Sequence, residues 1–215
     1  MRYAFYVSGK AGRLRKIMTK NLKVLKHTHI VITDSNKNLD LKESLAKIEI
    51  TLLSFDYKLK SLKYGKETNL FLSDFILKSF QKHQIDYCFC FGDNILKGEL
   101  LSKYKNKIIN FHPSILPLFP GRNAIDQAIK SQHTILLGNT AHFIDSGIDT
   151  GPIIMQNVVN KSFFKKNNYE GILDLQIPML ETIFEKLENS ELLIENGKVI
   201  LKNTQNNSLA SFYFY

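Results

Sequence analysis

Lys107-Ile-Ile-Asn-Phe-His-Pro-Ser-Ile-Leu-Pro117 reads as a strand halted by proline. The β-branched lead-in favours extended chain. Pro113 ends it, because proline has no N–H to give a sheet. Residues two apart on a strand share a face, so Asn110 and His112 project together and Phe111 turns away. Working backwards, Ile85–Phe91 is an apolar run read as a strand buried on both sides. Gly98–Tyr104 reads as a short helix. Asn69–Lys82 has Leu70, Phe71, Phe75, Ile76, Leu77 and Phe80 at helical spacing. Tyr3–Ser8, Thr28–Thr33 and Ile48–Phe55 read as strands, with a helix over Arg13–Asn21 and polar turn material at Asp34–Lys37. Strands alternating with helices predict an α/β fold on a largely parallel sheet. In such sheets ligands bind at the carboxyl ends of the strands, where Asn110 and His112 stand.

Beyond the strand, Pro113, Pro117 and Pro120 predict an ordered loop. Asn123–Lys130 reads as helix. Thr134–Ile144 and Gly151–Val159 read as strands flanking a turn at Asp145–Thr150. Glu170–Asn189 reads as a long helix interrupted near Pro178. Leu192–Ile194 and Lys198–Leu201, split by Asn196-Gly197, give a hairpin signal.

Composition bounds the function. The chain has 215 residues, 44% of them hydrophobic, too apolar for a disordered chain. No apolar run approaches the roughly 20 residues that span a bilayer, so no membrane partner is expected. The N-terminal apolar stretch is too short for a secretory signal and runs into Ser8-Gly9-Lys10 rather than a cleavage site. Cys88 and Cys90 make no disulfide framework, and their spacing is poor for zinc. No metal is expected, and a reduced, cytoplasmic location fits. The net charge is +9. Residues 1–33 hold eight Lys or Arg and no acid, around the first glycine turn, which points to an anionic ligand. Basic and aromatic residues do not interleave as in nucleic-acid binders, so nucleic acid is not the expected partner. The oligomeric state stays open.

Two segments carry chemistry. An amide donor (Asn110) and a titratable donor (His112) on one face suit a developing oxyanion on a carbonyl carbon. The same pair could instead satisfy the backbone of the proline loop. Thr140-Ala-His-Phe-Ile-Asp-Ser-Gly-Ile-Asp-Thr-Gly-Pro-Ile-Ile-Met-Gln156 places His142 on a strand and Asp149 in a tight bend. A carboxylate there could shuttle protons, or be an ordinary turn aspartate.

These two segments resemble the 10-formyltetrahydrofolate-dependent formyltransferase family, most nearly its purine-synthesis branch. An Asn-x-His-Pro-Ser-x-Leu-Pro segment and a later Asp in an Asp-x-Gly-Pro turn form that family's catalytic triad. The resemblance maps the triad onto Asn110, His112 and Asp149, and a further family histidine onto His142. It implies a formyltransferase fold: a Rossmann-like N-terminal half with flanking helices on a twisted sheet, then a sheet extension, with folate between them. The expected organisation is 1–106 with an acceptor-phosphate turn, 107–202 for catalysis and folate binding, and a tail at 203–215. The implied pterin contacts are Phe91, Asn94, Ile95 and Leu96 after the fourth strand, and Ile144, Asp145 and Ile148 in the later turn. The loop Phe91-Gly-Asp-Asn-Ile-Leu96 is one residue shorter than the family's usual one.

The resemblance implies transfer of a formyl group from 10-formyltetrahydrofolate, the donor cosubstrate, to a primary amine. His112 is expected to be protonated in the complex, with Asp149 raising its imidazolium fraction. The acceptor is expected to carry phosphate, held by Gly9, Lys10, Ala11, Gly12 and Arg13, with Arg122 and His142 as further acceptor contacts. Glycinamide ribonucleotide is the first candidate. The family's Ser-Gly-x-Gly-Ser-Asn turn is Ser8-Gly-Lys-Ala-Gly-Arg13 here, and Arg122-Asn123 replaces its Leu-His. A nucleotide-linked amino sugar is therefore the alternative acceptor.

Overall fold

A computed structural model describes residues 1–202 and 210–212. The chain forms two units, Met1–Ile109 and Asn110–Tyr215. The first unit runs β1 (Tyr3–Val7), α1 (Gly12–Thr19), β2 (Thr28–Thr33), α2 (Leu41–Ala46), β3 (Thr51–Ser54), α3 (Tyr57–Tyr64), α4 (Thr68–His83), β4 (Tyr87–Phe91) and α5 (Glu99–Lys103). Strand β5 (Ile108–His112) carries the chain into the second unit.

In the first unit the strands lie in the order β4-β1-β2-β3, every pair parallel. All five residues of β1 are fully buried. A strand covered on both faces has no alternation to show, which is why it reads as a continuous apolar run. Its aromatics pack against β4, Tyr3 stacking on Phe89 at 5.6 Å between ring centres and Phe5 on Phe91 at 6.2 Å. Removing each such side chain from water contributes about 2–3 kcal/mol. Helix α4 buries Leu72, Ile76, Leu77 and Phe80.

Three elements differ from the sequence reading. Helices α2 and α3 occupy stretches that gave no helical signal. Helix α3 buries none of its residues, so it has no apolar stripe to read. The third strand is only Thr51–Ser54, because Glu49 at φ 61° turns the chain just before it.

The second unit holds α6 (Ala124–Lys130), β6 (Leu136–Phe143), β7 (Ile153–Asn160), α7 (Ser162–Asp174), α8 (Gln176–Glu188), β8 (Leu192–Glu195), β9 (Lys198–Leu201) and β10 (Ala210–Phe212). Its larger sheet is ordered β10-β7-β6-β5, with β6 and β7 antiparallel and β7 and β10 parallel. Strands β8 and β9 form the foreseen hairpin, with Asn196 and Gly197 both at positive φ, as a tight two-residue loop requires. The long helix breaks at Leu175, not at Pro178. Pro178 sits in the first turn of α8, where a missing N–H costs no helical hydrogen bond. The expected tail, 203–215, lies outside the described residues apart from β10.

Three fully buried amides tie the helix pair to the sheet. Asn139 Nδ2 donates to Asn157 Oδ1 (3.0 Å) and to the Ile172 carbonyl (2.9 Å). Asn157 Nδ2 donates to the Leu175 carbonyl (2.8 Å). Gln176 Nε2 donates to Asn139 Oδ1 (2.8 Å) and to the Phe111 carbonyl (3.2 Å). Buried polar groups persist only when satisfied in this way. The last bond anchors β5 between Asn110 and His112.

Candidate active site

Asn110 and His112 lie on one face of β5, as period two demands, and both meet groups from β6 and the β6–β7 turn. His112 is 4% exposed. Its Nδ1 is 3.2 Å from Asp149 Oδ2, and its Nε2 is 2.9 Å from the Phe119 carbonyl. Asn110 Nδ2 is 3.1 Å from His142 Nε2, and the same His142 nitrogen is 3.5 Å from Asp149 Oδ1. Asp149 thus bridges two imidazoles. The backbone N–H of Gly121 also donates to Asp149 Oδ2, at 2.7 Å.

The partners fix the protons. His142 Nδ1 faces the Phe143 carbonyl at 2.9 Å, so it carries hydrogen. Nε2 accepts from the Asn110 amide when the ring is neutral and donates to Asp149 when the ring carries a second proton. The amide keeps its second N–H for another acceptor. Both nitrogens of His112 face pure acceptors, so a single proton serves only one of them. A second proton would serve both, but burial opposes the charge. Burial pushes His112 down, and the Phe119 carbonyl and Asp149 pull it only part of the way back. In the ligand-free protein the imidazole favours the neutral form, because desolvation outweighs Asp149; the expectation of a charged ring concerns the complex. Burial pushes the Asp149 carboxyl up, but His142, the Gly121 amide and the His112 ring outweigh it and hold it below the ordinary range.

These shifts have a sign. A histidine with a depressed folded value and a carboxylate with a depressed folded value both leave the unfolded chain binding more protons in acid. The denaturation midpoint is therefore expected to fall as pH drops below about 6.5, where an unfolded histidine titrates, and to fall further below about 4 as an unfolded aspartate does. Urea titrations carried from pH 8 down to about pH 2.5 check this. The upper limb should be shallower in His112→Gln.

The local sequence explains the placement. Asp149 adopts φ 55°, left-handed for a residue with a side chain. The following Gly151 is obligatory, since a Cβ there would lie 1.9 Å from the Phe143 carbonyl oxygen. The proline loop is fastened to the sheet by Thr140, whose Oγ1 donates to the Ser114 carbonyl (2.7 Å) and accepts from the Leu116 amide (2.9 Å). Gln156 Nε2 joins the same knot, donating to the Leu116 carbonyl (2.8 Å) and to Thr140 Oγ1 (2.9 Å). Ser114 Oγ donates to the Leu118 carbonyl at 2.7 Å, so it is engaged in shaping the loop.

The remaining expected residues fall as follows. In the second unit, Arg122 is exposed and next in chain to Gly121. Asp145 Oδ1 accepts from the Gly147 amide (3.0 Å) and Thr150 Oγ1 (2.8 Å), shaping the turn. Ile144 is half-buried in that turn and Ile148 is exposed. In the first unit, the Ser8–Gly12 turn has Gly9 and Ala11 at φ 59° and 51°, with Lys10 and Gly12 exposed. The Arg13 guanidinium sits over the Phe91 ring, 4.6 Å from its centre. Leu96 is buried and Ile95 exposed. The Asn94 side chain is spent on Asp34, donating to its Oδ2 at 2.8 Å.

Thr140, Gln156, Gln176 and the Gly121 amide were not foreseen. Thr140 and Gln156 had a signal, as polar side chains within strands whose neighbours are largely buried. A backbone amide has none.

A buried imidazole–carboxylate–imidazole chain with an amide beside it thus stands at the end of β5. The chain belongs to the formyl transferase family, whose sequence profile matches residues 1–162. Phosphoribosylglycinamide formyltransferase of Bacillus subtilis is 41% identical over 85 residues, 39% of this chain and 43% of that protein. Formyltetrahydrofolate deformylase of Haemophilus influenzae is 47% identical over 66 residues, 31% of this chain and 23% of that protein. The chain thus spans less than half the length of the curated relatives it matches. Among solved structures, phosphoribosylglycinamide formyltransferase from Anaplasma phagocytophilum has the same fold, with TM-score 0.80 and 22% identity over 100% of this chain and 99% of that one.

Proposed function

We propose that this protein moves the formyl group of 10-formyltetrahydrofolate to the primary amine of a phosphate-bearing acceptor, with glycinamide ribonucleotide the first candidate. The single observation that carries the reading is the convergence of Asn110, His112, His142 and Asp149 from three segments. The donor supplies an electrophilic formyl carbon. The chain's own residues then have distinct tasks. Asn110 offers its free amide N–H to the formyl oxygen as charge grows there. His112 turns its Nε2–H from the Phe119 carbonyl to the same oxygen. The attacking amine acquires positive charge, and Asp149, ionised at neutral pH, takes the proton through water and passes it to the leaving nitrogen. His142 holds the Asn110 amide in register. The Gly9–Arg13 turn is assigned the acceptor's phosphate, because backbone amides at a helix start favour anions. The cytoplasm is the proposed compartment, in keeping with two free, buried cysteines.

One observation favours a different acceptor. Arg13 stacks on Phe91 at the head of α1, where the related purine enzymes carry a small polar side chain. A nucleotide-linked amino sugar is the second candidate on that ground. The test is tetrahydrofolate release by absorbance, with glycinamide ribonucleotide, with an amino-sugar nucleotide and with no amine, followed by product mass. Release that needs an amine, with gain of one formyl group in the product, is expected. Release without amine would make the protein a hydrolase, and no release with any acceptor would overturn the reading.

A further inference from the structure

The geometry points to Asp34 as a positioning residue that couples the two ligand-bearing turns of the first unit, a role that rests on the assignments just made for those turns. Asp34 follows β2 and is 7% exposed. One oxygen, Oδ2, accepts from three side chains: Tyr6 Oη at 2.6 Å, Ser8 Oγ, and Asn94 Nδ2 at 2.8 Å. Ser8 heads the turn assigned to the acceptor's phosphate. Asn94 lies in the loop assigned to folate. A second strut runs directly between them, since the Asp93 amide donates to Ser8 Oγ at 2.9 Å. Ser8 donates to the carboxylate and accepts from the loop, so the three segments form one continuous hydrogen-bonded path.

The surroundings are built for this path. The Tyr6 ring passes directly under Gly92, where an added Cβ would lie 2.0 Å from the ring. Gly92 is therefore required for Tyr6 to reach Asp34. Burial, and then the Asp34 charge, push the Tyr6 phenol up, so it remains a donor. The turn is held again from the β2 side, where fully buried Asn38 donates from Nδ2 to the Gly9 carbonyl (3.2 Å) and to Thr33 Oγ1 (2.9 Å). The loop after β4 joins the same arrangement through Asn94. Its polar residue is turned inward to a carboxylate, and so fixes the loop against the turn.

The consequence is that loosening one turn loosens the other. Amide hydrogen exchange on the ligand-free protein tests it. The Ala11 N–H donates to the Ser8 carbonyl at 3.1 Å and reports on the turn. Asn94→Ala touches only the loop end of the path. It should accelerate exchange at Ala11 by about tenfold, the loss expected for one hydrogen bond to a charged group. Asp34→Asn keeps one acceptor oxygen and should stay nearer wild type, whereas Asp34→Ala should loosen both turns together. Wild-type exchange at Ala11 in Asn94→Ala, with acceleration confined to residues 92–96, would overturn the proposal. Because Asn94 is half-buried in a loop, that variant keeps the fold even if Asp34→Ala does not. Exchange needs no ligand, so this result stands apart from the formyl-transfer assay. A protein that transfers no formyl group but shows the linkage would refute the assigned function and leave the role of Asp34 intact.

Discussion

Alanine at position 112 is expected to lower kcat about a hundred- to a thousandfold, with the folate dissociation constant little changed. The reason is that His112 makes no contact that only a ground state would need. Its Nε2 lies 2.9 Å from the Phe119 carbonyl and its Nδ1 3.2 Å from Asp149 Oδ2. Both are groups of the chain itself. On the proposed function the variant removes one of the two donors assigned to the oxyanion and leaves Asn110 to act alone. It also strips Asp149 of one of the rings that hold it ionised. Steady-state kinetics alongside equilibrium folate titration separate the two quantities. A kcat within a few-fold of wild type would take His112 out of the chemistry and leave it as a fastener of the proline loop.

Gly151→Ala is expected to cost about 3 kcal/mol of stability, at the upper end of overpacking effects. The added methyl would lie 1.9 Å from the Phe143 carbonyl oxygen and 2.9 Å from its carbon. Backbone cannot step aside as a side chain can. The turn must open, and Asp149 moves with it. A misplacement near 1 Å at a reacting group costs about a hundredfold in rate, so the surviving folded fraction should also be slow. Urea unfolding and kcat measured on the same preparation check both halves. Unchanged activity in a destabilised variant would show that the carboxylate's position tolerates a reshaped turn.

The strand carrying Asn110 and His112 was legible because its cues are local: two-residue periodicity, β-branched neighbours and a proline stop. The turn carrying Asp149 was legible for a similar reason, since Thr150-Gly-Pro152 forces a bend. The meeting of the two segments followed only from a resemblance, because no periodicity says which loop faces which strand. Other features left no trace. Helix α3 has no buried side, so pattern reading passes over it. The Gly121 amide is a backbone group and would be offered by almost any residue. Asn139, Asn157 and Gln176 interrupt apolar runs without announcing partners, which lie on other strands and helices far along the chain. The desolvation that lowers His112 in the free protein leaves no mark in the motif, whereas the neighbouring carboxylate does.

The bond from Gln176 to the Phe111 carbonyl carries a lesson about divergence. It grips the strand midway between Asn110 and His112, from a fully buried side chain of α8. Their spacing is thereby set by interior architecture and is indifferent to what arrives from solvent. A descendant recruited to a new amine would inherit the reaction unchanged and would have to write its novelty at the rim.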